Sequence, residues 1–296
     1  MKTFLIILGV LAELVLVGSW FLASFVVNGN RQTLEEAMRW QSEHYDTSFY
    51  QGLEKSGYTV SGDEGYTLHV QYLKNPEQSD KFMILSHGYT DNRMGSLKYV
   101  KMYLDLGFNC IIYDLRGHGE NETAITTYGL REGKDLAALV KDSRERYPEM
   151  SQLGLHGESL GAATTVSALK YQLQVDFAVA DCGFSDIENV LRKGYRDAHV
   201  PVFLVDLADL GMRLRYGVSL KEMRPIDSLD ENRIPVLFIH GAEDSFIIPQ
   251  NSQDMYERTR GVKELHLIPG AGHAESILTD PVSYQEYVEG FLSELE

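Results

Sequence analysis

A serine, an acidic residue and a histidine occur along this chain in positions that could supply nucleophilic catalysis. Ser159 stands between two glycines in the stretch GLHGESLGAATT, residues 154–165. A serine hydroxyl is a poor nucleophile until a neutral imidazole takes its proton, and the imidazole needs a carboxylate to fix its tautomer. Ser159 is therefore a candidate nucleophile if a histidine and an acid can be brought to it.

The candidate partners follow the last two apolar runs of the chain. His273 is the candidate base, because it comes after the last run, in the glycine-containing loop IPGAGHAES. Asp244, in FIHGAEDSFIIP, follows the preceding run and is the candidate acid. Asp181 remains an alternative acid, because it also ends an apolar run and its position could reach the histidine.

Backbone amides are the candidate donors to the negative charge that acyl transfer creates. The stretch SHGYTDN follows an early apolar run, and Leu160 follows Ser159 directly. We expect the amides of Tyr89 and Leu160 to form an oxyanion hole, with each donor contributing about 3 kcal/mol. His87 is interpreted as a residue that stabilises the turn.

Short apolar runs alternate with helix-length segments and predict the elements that would position these residues. The predicted strands are 82–88, 108–114, 153–157, 176–182, 235–241 and 263–270, after an amphipathic hairpin that begins at Tyr58, and the predicted helices are 94–105, 131–147, 160–172, 249–259 and 281–295. This alternation indicates an α/β fold with a mostly parallel, doubly wound sheet. Ligands bind such sheets beyond the carboxyl ends of the strands, where Ser159, Asp244 and His273 fall.

One segment interrupts the alternation of strands and helices. Residues 184–231 contain no convincing strand and include VPVFLVDLADLGMRLRYGV, which is apolar at helical spacing. An insertion of this kind in an α/β sheet often covers the site, so we predict a helical lid. A helical elaboration that only packs on the edge is the alternative.

The N-terminus predicts a membrane anchor. Phe4–Val27 carries a single charge, Glu13, and as a helix would be roughly 36 Å long, enough to cross a bilayer core of about 30 Å. The apolar run is longer than that of a cleaved signal peptide and has no clear cleavage site, which favours an uncleaved anchor. We predict three parts: an anchor over 1–27, a tether or helix over 28–56, and a catalytic domain over 57–296.

Composition excludes several classes of function. The net charge of -16 and the scattered basic residues argue against a nucleic-acid partner. No spacing typical of a metal site is present, so neither a metal nor a cofactor is predicted. The two cysteines, Cys110 and Cys182, lie in apolar runs and are expected to be buried free thiols rather than a disulfide.

Five motifs in order give the sequence a clear resemblance to the α/β-hydrolase family from about Tyr58 to the C-terminus: HGYTDN, DLRGHGEN, GESLG, HGAEDSF and GAGH. The order Ser159, Asp244, His273 is the nucleophile, acid and base order of that family. GES and DLRGHG are most similar to its esterase and serine-aminopeptidase-like branch, which includes membrane-anchored bacterial members. The resemblance implies a Ser-His-Asp hydrolase without a cofactor.

The leading hypothesis is a carboxylesterase-like enzyme that acts through an acyl-enzyme on a small substrate with an apolar portion. Thioesterase and aminopeptidase activity use the same groups and remain alternatives. An aminopeptidase needs a carboxylate for the substrate amine, and the insertion offers Asp186, Glu188, Asp206 and Asp209. A non-catalytic membrane-tethered binding protein is the alternative of another class. We expect the domain on the extracytoplasmic side of the cell membrane, and the sequence leaves the oligomeric state open.

Overall fold

The computed structural model describes residues 2–295 and contains one eight-stranded sheet. The strands are β1 (Lys55–Ser61), β2 (Thr67–Leu73), β3 (Lys81–Ser86), β4 (Phe108–Tyr113), β5 (Gln152–Glu158), β6 (Phe177–Asp181), β7 (Val236–Gly241) and β8 (Lys263–Ile268). Their order is β1-β2-β4-β3-β5-β6-β7-β8. β2 runs antiparallel to β1 and β4, and the strands from β4 to β8 are parallel. The predicted mostly parallel sheet is therefore confirmed.

The helices are α1 (Lys2–Val27), α2 (Leu34–His44), α3 (Ser48–Gly52), α4 (Leu97–Asp105), α5 (Glu132–Arg146), α6 (Leu160–Ala168), α7 (Ile187–Asp197), α8 (Phe203–Tyr216), α9 (Gln250–Arg258), α10 (Ser276–Thr279) and α11 (Pro281–Leu295). They cover both faces of the sheet. Phe82 and Ile84 of β3 pack into a core with α5, α6 and the end of α1, whereas Met83 and Leu85 pack into a second core with α4 and α11. Burial on both faces explains why the parallel strands read as continuous apolar runs.

The segment predicted as a tether or helix lies on the domain. Its helix α2 begins with a capping box between Thr33 and Glu36. Ala37 of α2 is fully buried in the core that contains α4 and α11. The division into three parts stays a prediction, and its outermost residues, Met1 and Glu296, lie outside the described residues.

The insertion at 184–231 is helical. It contains α7 and α8, followed by short 3-10 turns at Leu220–Glu222 and Pro225–Leu229. Asp186 caps α7 by accepting from the Glu188 amide at 2.9 Å. Gly217 ends α8 in the left-handed conformation, with φ of 68°. No strand interrupts this segment, as predicted.

The N-terminal helix α1 is apolar enough to span a membrane, yet its C-terminal end packs against the domain. Ile7–Val27 is long and apolar enough, by length and composition, to cross a membrane. Ser19, Ala23 and Val27 are nevertheless fully buried. They pack beside α8 of the insertion and the core, so the end of α1 is part of the domain.

Candidate active site

Ser159 occupies a strained turn between β5 and α6. Its backbone has φ of 53° and ψ of -111°, a conformation that costs a residue other than glycine free energy. The Ser159 amide donates to the Asp181 carbonyl at 2.9 Å, and the Ser159 carbonyl accepts from the Ala163 amide at 3.0 Å. This turn therefore holds the serine at the carboxyl end of the sheet.

The two glycines around Ser159 allow its turn to pack tightly. A Cβ at Gly157 would overlap the carbonyl of Gly161, and a Cβ at Gly161 would overlap the carbonyl of Ser86 at the end of β3. The strand, the helix and the loop after β3 can approach one another only because both positions lack a side chain. The local geometry is that of a nucleophile elbow.

The structure brings the three predicted catalytic side chains together. Ser159 Oγ lies 3.0 Å from His273 Nε2, and His273 Nδ1 lies 2.6 Å from Asp244 Oδ2. His273 reaches this position from the loop after β8, and Asp244 from the loop after β7. Each distance is within hydrogen-bonding range, so the hydroxyl, imidazole and carboxylate form a continuous chain.

Asp244 is held as a carboxylate. Its Oδ1 accepts from the amides of Phe246 and Ile247, both at 2.9 Å. Burial raises the pKa of Asp244, but the hydrogen bonds from His240 and His273 outweigh it and lower the pKa to about 2. An ionised Asp244 favours the tautomer of His273 that carries its proton on Nδ1 and leaves Nε2 free to accept one from Ser159.

The alternative acid, Asp181, is hydrogen-bonded elsewhere. Its Oδ2 lies 3.0 Å from the Tyr99 hydroxyl, which Asp181 and Glu158 share, and its Oδ1 accepts from Ser276 Oγ at 3.2 Å. Asp181 is fully buried, and burial raises its pKa to about 6, with a further upward contribution from the charge of Glu158. The geometry favours Asp244 as the partner of His273.

One predicted oxyanion donor follows the serine directly, and the other lies on a loop that approaches it. Leu160 begins α6, and Tyr89 follows Gly88, at which a Cβ would lie 4.0 Å from the Ser159 Cβ. Within residues 2–295, neither the Tyr89 amide nor the Leu160 amide donates to a protein acceptor. Both amides are thus free to bind a substrate oxygen.

Several contacts hold the loop that carries Tyr89. His118 Nε2 lies 2.5 Å from the Tyr89 carbonyl, and the Tyr89 ring stacks on that of Tyr128 at a centroid distance of 5.8 Å. The buried His87 ring accepts from the Leu115 amide at 2.9 Å and contacts the Gly88 carbonyl at 2.7 Å. These contacts fit a turn-stabilising role for His87.

Sequence reasoning missed a buried ionic cluster beneath the serine. Lys98 of α4 pairs with Glu158, the residue before Ser159, and donates to the Ala274 carbonyl at 3.1 Å. The Tyr99 hydroxyl donates to Glu158 at 2.6 Å. Burial lowers the pKa of Lys98, but the adjacent Glu158 carboxylate outweighs it and leaves the pKa above its usual value. The cluster thus connects the turn of the nucleophile to the loop of His273.

His240 is a second residue that sequence reasoning missed. Its Nε2 lies 2.6 Å from the Ile247 carbonyl and 3.3 Å from Asp244 Oδ2, while its Nδ1 lies 2.7 Å from Ser252 Oγ. His240 therefore fixes the loop that presents Asp244. Its place at the carboxyl end of β7, four residues before Asp244, is the signal that could have found it.

The serine of the site is largely buried, whereas the His273 side chain is 24% exposed. Ser159 is only 7% exposed. Tyr128 and Phe184 belong to the same apolar core as Val26 and Val27 at the end of α1. Gly29, just after α1, lies against the Tyr89 ring, where a side chain would collide with it. The end of α1 and the residues after it therefore pack beside the loop that carries Tyr89.

Metal-ligating side chains do not cluster in the part of the chain that the structure describes: residues 2–295 contain no group of three or more His, Cys, Asp or Glu arranged to hold an ion. Cys110 and Cys182 are both buried and free, as expected. In the DLRGHG loop, Asp114 pairs with Arg93, and Arg116 pairs with Asp135 at 2.7 Å. These pairs give the charged residues of that loop a structural role.

The sequence of this chain is similar to those of several known proteins. Residues 95–293 match the sequence profile of the prolyl oligopeptidase family. The protein YqkD of Bacillus subtilis is 30% identical over 303 residues, which cover 100% of this chain and 98% of the relative. The membrane protein YNL320W of Saccharomyces cerevisiae is 23% identical over 261 residues, which cover 85% and 84%.

A solved structure has a similar fold. The esterase Pf2001 of Pyrococcus furiosus superposes with a TM-score of 0.69 and is 24% identical. The match covers 90% of this chain and 99% of the esterase.

Proposed function

Because the chain belongs to the prolyl oligopeptidase family of α/β-hydrolases, we propose that it is a serine hydrolase that cleaves an acyl ester through Ser159, His273 and Asp244. The observation that carries this proposal is the pair of hydrogen bonds from Ser159 to His273, 3.0 Å, and from His273 to Asp244, 2.6 Å. The strained turn at Ser159 supports it, because a positive φ at a serine flanked by two glycines, between a strand and a helix, is typical of a nucleophile elbow.

In the proposed mechanism, Ser159 Oγ attacks the acyl carbonyl carbon while its proton passes to His273 Nε2. The amides of Tyr89 and Leu160 donate to the resulting oxyanion. His273 then protonates the departing alcohol oxygen, which leaves an acyl-enzyme. In the second half, a water molecule gives a proton to His273 and attacks the acyl carbon, and Ser159 recovers its proton as the acid is released.

The surroundings of the site favour an acyl group with an apolar portion. Leu160, Tyr128 and Phe184 belong to one apolar core together with residues at the end of α1 and in α8. Leu160, the residue after Ser159, belongs to this core, so an apolar acyl group beside it would be accommodated at a low cost in desolvation. The similar fold of a protein described as an esterase is in keeping with this substrate class.

Aminopeptidase activity is the second candidate, since the family takes its name from a peptidase. The carboxylates that could bind a substrate amine are already paired within the insertion: Asp186 with Arg224, Glu188 and Asp206 with Arg192, and Asp209 with Arg213. A substrate amine would have to displace an arginine from its carboxylate. This cost favours hydrolysis of an ester over removal of an N-terminal amino acid from a peptide. Hydrolysis of a thioester would use the same catalytic groups as hydrolysis of an ester.

We place the chain at the cell membrane, with α1 as a single-pass anchor and the catalytic domain on the extracytoplasmic side. The apolar segment Ile7–Val27 supports membrane association. Protease treatment of intact cells tests the orientation. Digestion of the catalytic domain in intact cells supports the extracytoplasmic orientation. Protection of the domain until the cells are permeabilised contradicts it.

A serine-reactive fluorophosphonate tests the proposed nucleophile. The wild-type chain should be labelled at Ser159, and Ser159→Ala should not be labelled. Ser293→Ala, which changes an exposed serine on α11, is the matched control and should be labelled like the wild type. A folded wild-type chain that resists labelling would favour the non-catalytic binding protein.

A substrate panel separates the remaining classes of reaction. Acyl esters, acyl thioesters and aminoacyl amides of varied chain length should be compared by kcat/KM. Esters with an apolar acyl group should be preferred. Higher kcat/KM on aminoacyl amides that carry a free amine would identify an aminopeptidase instead.

A further inference from the structure

The insertion helix α8 carries an exposed apolar stripe. Phe203, Leu207, Leu210 and Leu214 follow one another at helical spacing and share one face of the helix. Phe203 is 59% exposed and Leu214 is 60% exposed, while Leu207 and Leu210 are half-buried. An exposed apolar surface of this kind usually marks an interaction site.

The stripe adjoins the N-terminal helix. A Cβ at Gly211 would overlap the Ser19 carbonyl, so α8 and α1 are in close backbone contact there. Arg215 lies 4.5 Å from the centre of the Trp20 ring and donates to Ser24 Oγ. At about 100° per residue, Gly211 lies roughly 80° around α8 from Phe203, so the stripe borders the contact with α1. The stripe therefore lies beside a helix that also carries exposed apolar side chains, among them Trp20 and Phe21.

The other side of the stripe is bordered by paired charges. Asp206 of α8 pairs with Arg192 of α7, and Arg213 pairs with Asp209 one turn earlier on α8. The exposed side of α8 therefore carries an apolar stripe, with matched charges along one edge and Arg215, which lies over the Trp20 ring, along the edge next to α1. This arrangement is typical of helices that lie at a membrane surface.

The length of α1 indicates what covers the stripe. Ser19 is the first buried residue among those of α1 whose burial is described, and the helix before it, residues 2–18, is roughly 25 Å long at about 1.5 Å per residue. A bilayer core is about 30 Å thick. If α1 enters a membrane, its packed end and the neighbouring α8 must lie at or within the boundary of the hydrocarbon.

We propose that Phe203, Leu207, Leu210 and Leu214 form a lipid-contacting surface that seats the catalytic domain on the bilayer beside α1. The insertion would then have a role at the membrane in addition to the predicted lid. One of its helices lies in the membrane interface and holds the catalytic domain next to the lipid. This proposal depends on the exposed apolar side chains of α8 and of the neighbouring α1 and is independent of the acyl chemistry at Ser159.

Fluorescence quenching by lipid tests this surface in the full-length chain. Leu214→Cys is labelled with the polarity-sensitive fluorophore NBD and reconstituted into phosphatidylcholine vesicles with and without a nitroxide-bearing phosphatidylcholine. The natural Cys110 and Cys182 are fully buried and free, so the added cysteine is the one that reacts. The matched control is Val282→Cys, because Val282 is 66% exposed on α11, which covers the opposite face of the sheet.

The nitroxide lipid should quench the label at position 214 several-fold more than the label at 282, with emission shifted to shorter wavelength. Phe203→Cys should behave like Leu214→Cys, which guards against a local effect of one substitution, and circular dichroism checks that each variant is folded. Equal quenching at 214 and 282 would overturn the proposal. So would a spectral shift at 214 without quenching by lipid, since that result assigns the stripe to a second copy of the chain.

Discussion

The Lys98 ammonium forms a buried ion pair with Glu158, the residue that precedes Ser159; the two side chains are 6% and 9% exposed. Removing the cation would leave the Glu158 carboxylate buried without its partner. We expect Lys98→Met to lower the free energy of unfolding by about 3–5 kcal/mol. Urea unfolding measures this loss.

The control for that prediction lies on the same helix. Lys101 pairs with Asp105, but their side chains are 53% and 48% exposed. Lys101→Met should therefore cost less than about 1 kcal/mol. The double variant Lys98→Met, Glu158→Gln should recover part of the stability, because it removes both charges. Equal losses from Lys98→Met and Lys101→Met would show that the buried pair contributes no more than a surface pair.

The glycine after the serine gives a second prediction. Because a Cβ at Gly161 would overlap the Ser86 carbonyl, Gly161→Ala must displace the loop after β3 or the elbow. We expect at least a tenfold loss of kcat/KM on an acyl ester. Gly194→Ala is the control: that helical glycine has no neighbouring atom within 4 Å of an added Cβ, so the change should keep activity and stabilise by up to about 1 kcal/mol. Full activity in Gly161→Ala would contradict the tight elbow.

The choice of acid gives a third prediction. Asp244→Asn should lower kcat on the order of 10⁴-fold, because the neutral amide no longer favours the productive tautomer of His273. Asp181→Asn should retain most of the activity, since Asp181 is bonded to Tyr99 and Ser276 instead. Steady-state hydrolysis of an acyl ester compares the two variants. If Asp181→Asn is the more damaging change, Asp181 is the catalytic acid.

Local patterns were sufficient to predict the sheet and the serine turn. Parallel strands buried on both faces produce apolar runs of strand length, and the glycines at 157 and 161 mark the serine turn by their spacing in the sequence. The loops after β7 and β8 then placed Asp244 and His273 at the same edge as Ser159. These features depend on residues close together in the sequence or on the rules of parallel sheets.

Contacts between distant segments could not be predicted in the same way. The Lys98 ammonium is hydrogen-bonded to the Ala274 carbonyl, 176 residues away, and Arg215 is hydrogen-bonded to Ser24 Oγ, 191 residues away. In the sequence, Lys98 resembles any charged residue of an amphipathic helix. Only the packing of α4 under the serine turn buries it, and only the packing of α8 on α1 places their exposed apolar side chains side by side.

The buried Asp181 gives a prediction about pH. Burial raises its pKa from 3.8 to about 6 in the folded chain, so between these values the folded state holds a proton that the unfolded state has lost. The unfolding free energy must therefore fall as pH rises through this window. Asp181→Asn lacks this dependence.

The measurable quantity is the difference in unfolding free energy between wild type and Asp181→Asn from pH 4 to pH 8. The wild type should lose stability relative to the variant from about pH 4 to just above pH 6, and the difference should then be constant. Asp91 and Asp135, whose pKa values burial also raises to about 6, are present in both proteins and cancel. A difference that does not change with pH would mean that Asp181 ionises in the folded chain as readily as in the unfolded chain, since a pH-dependent difference requires unequal proton binding in the two states.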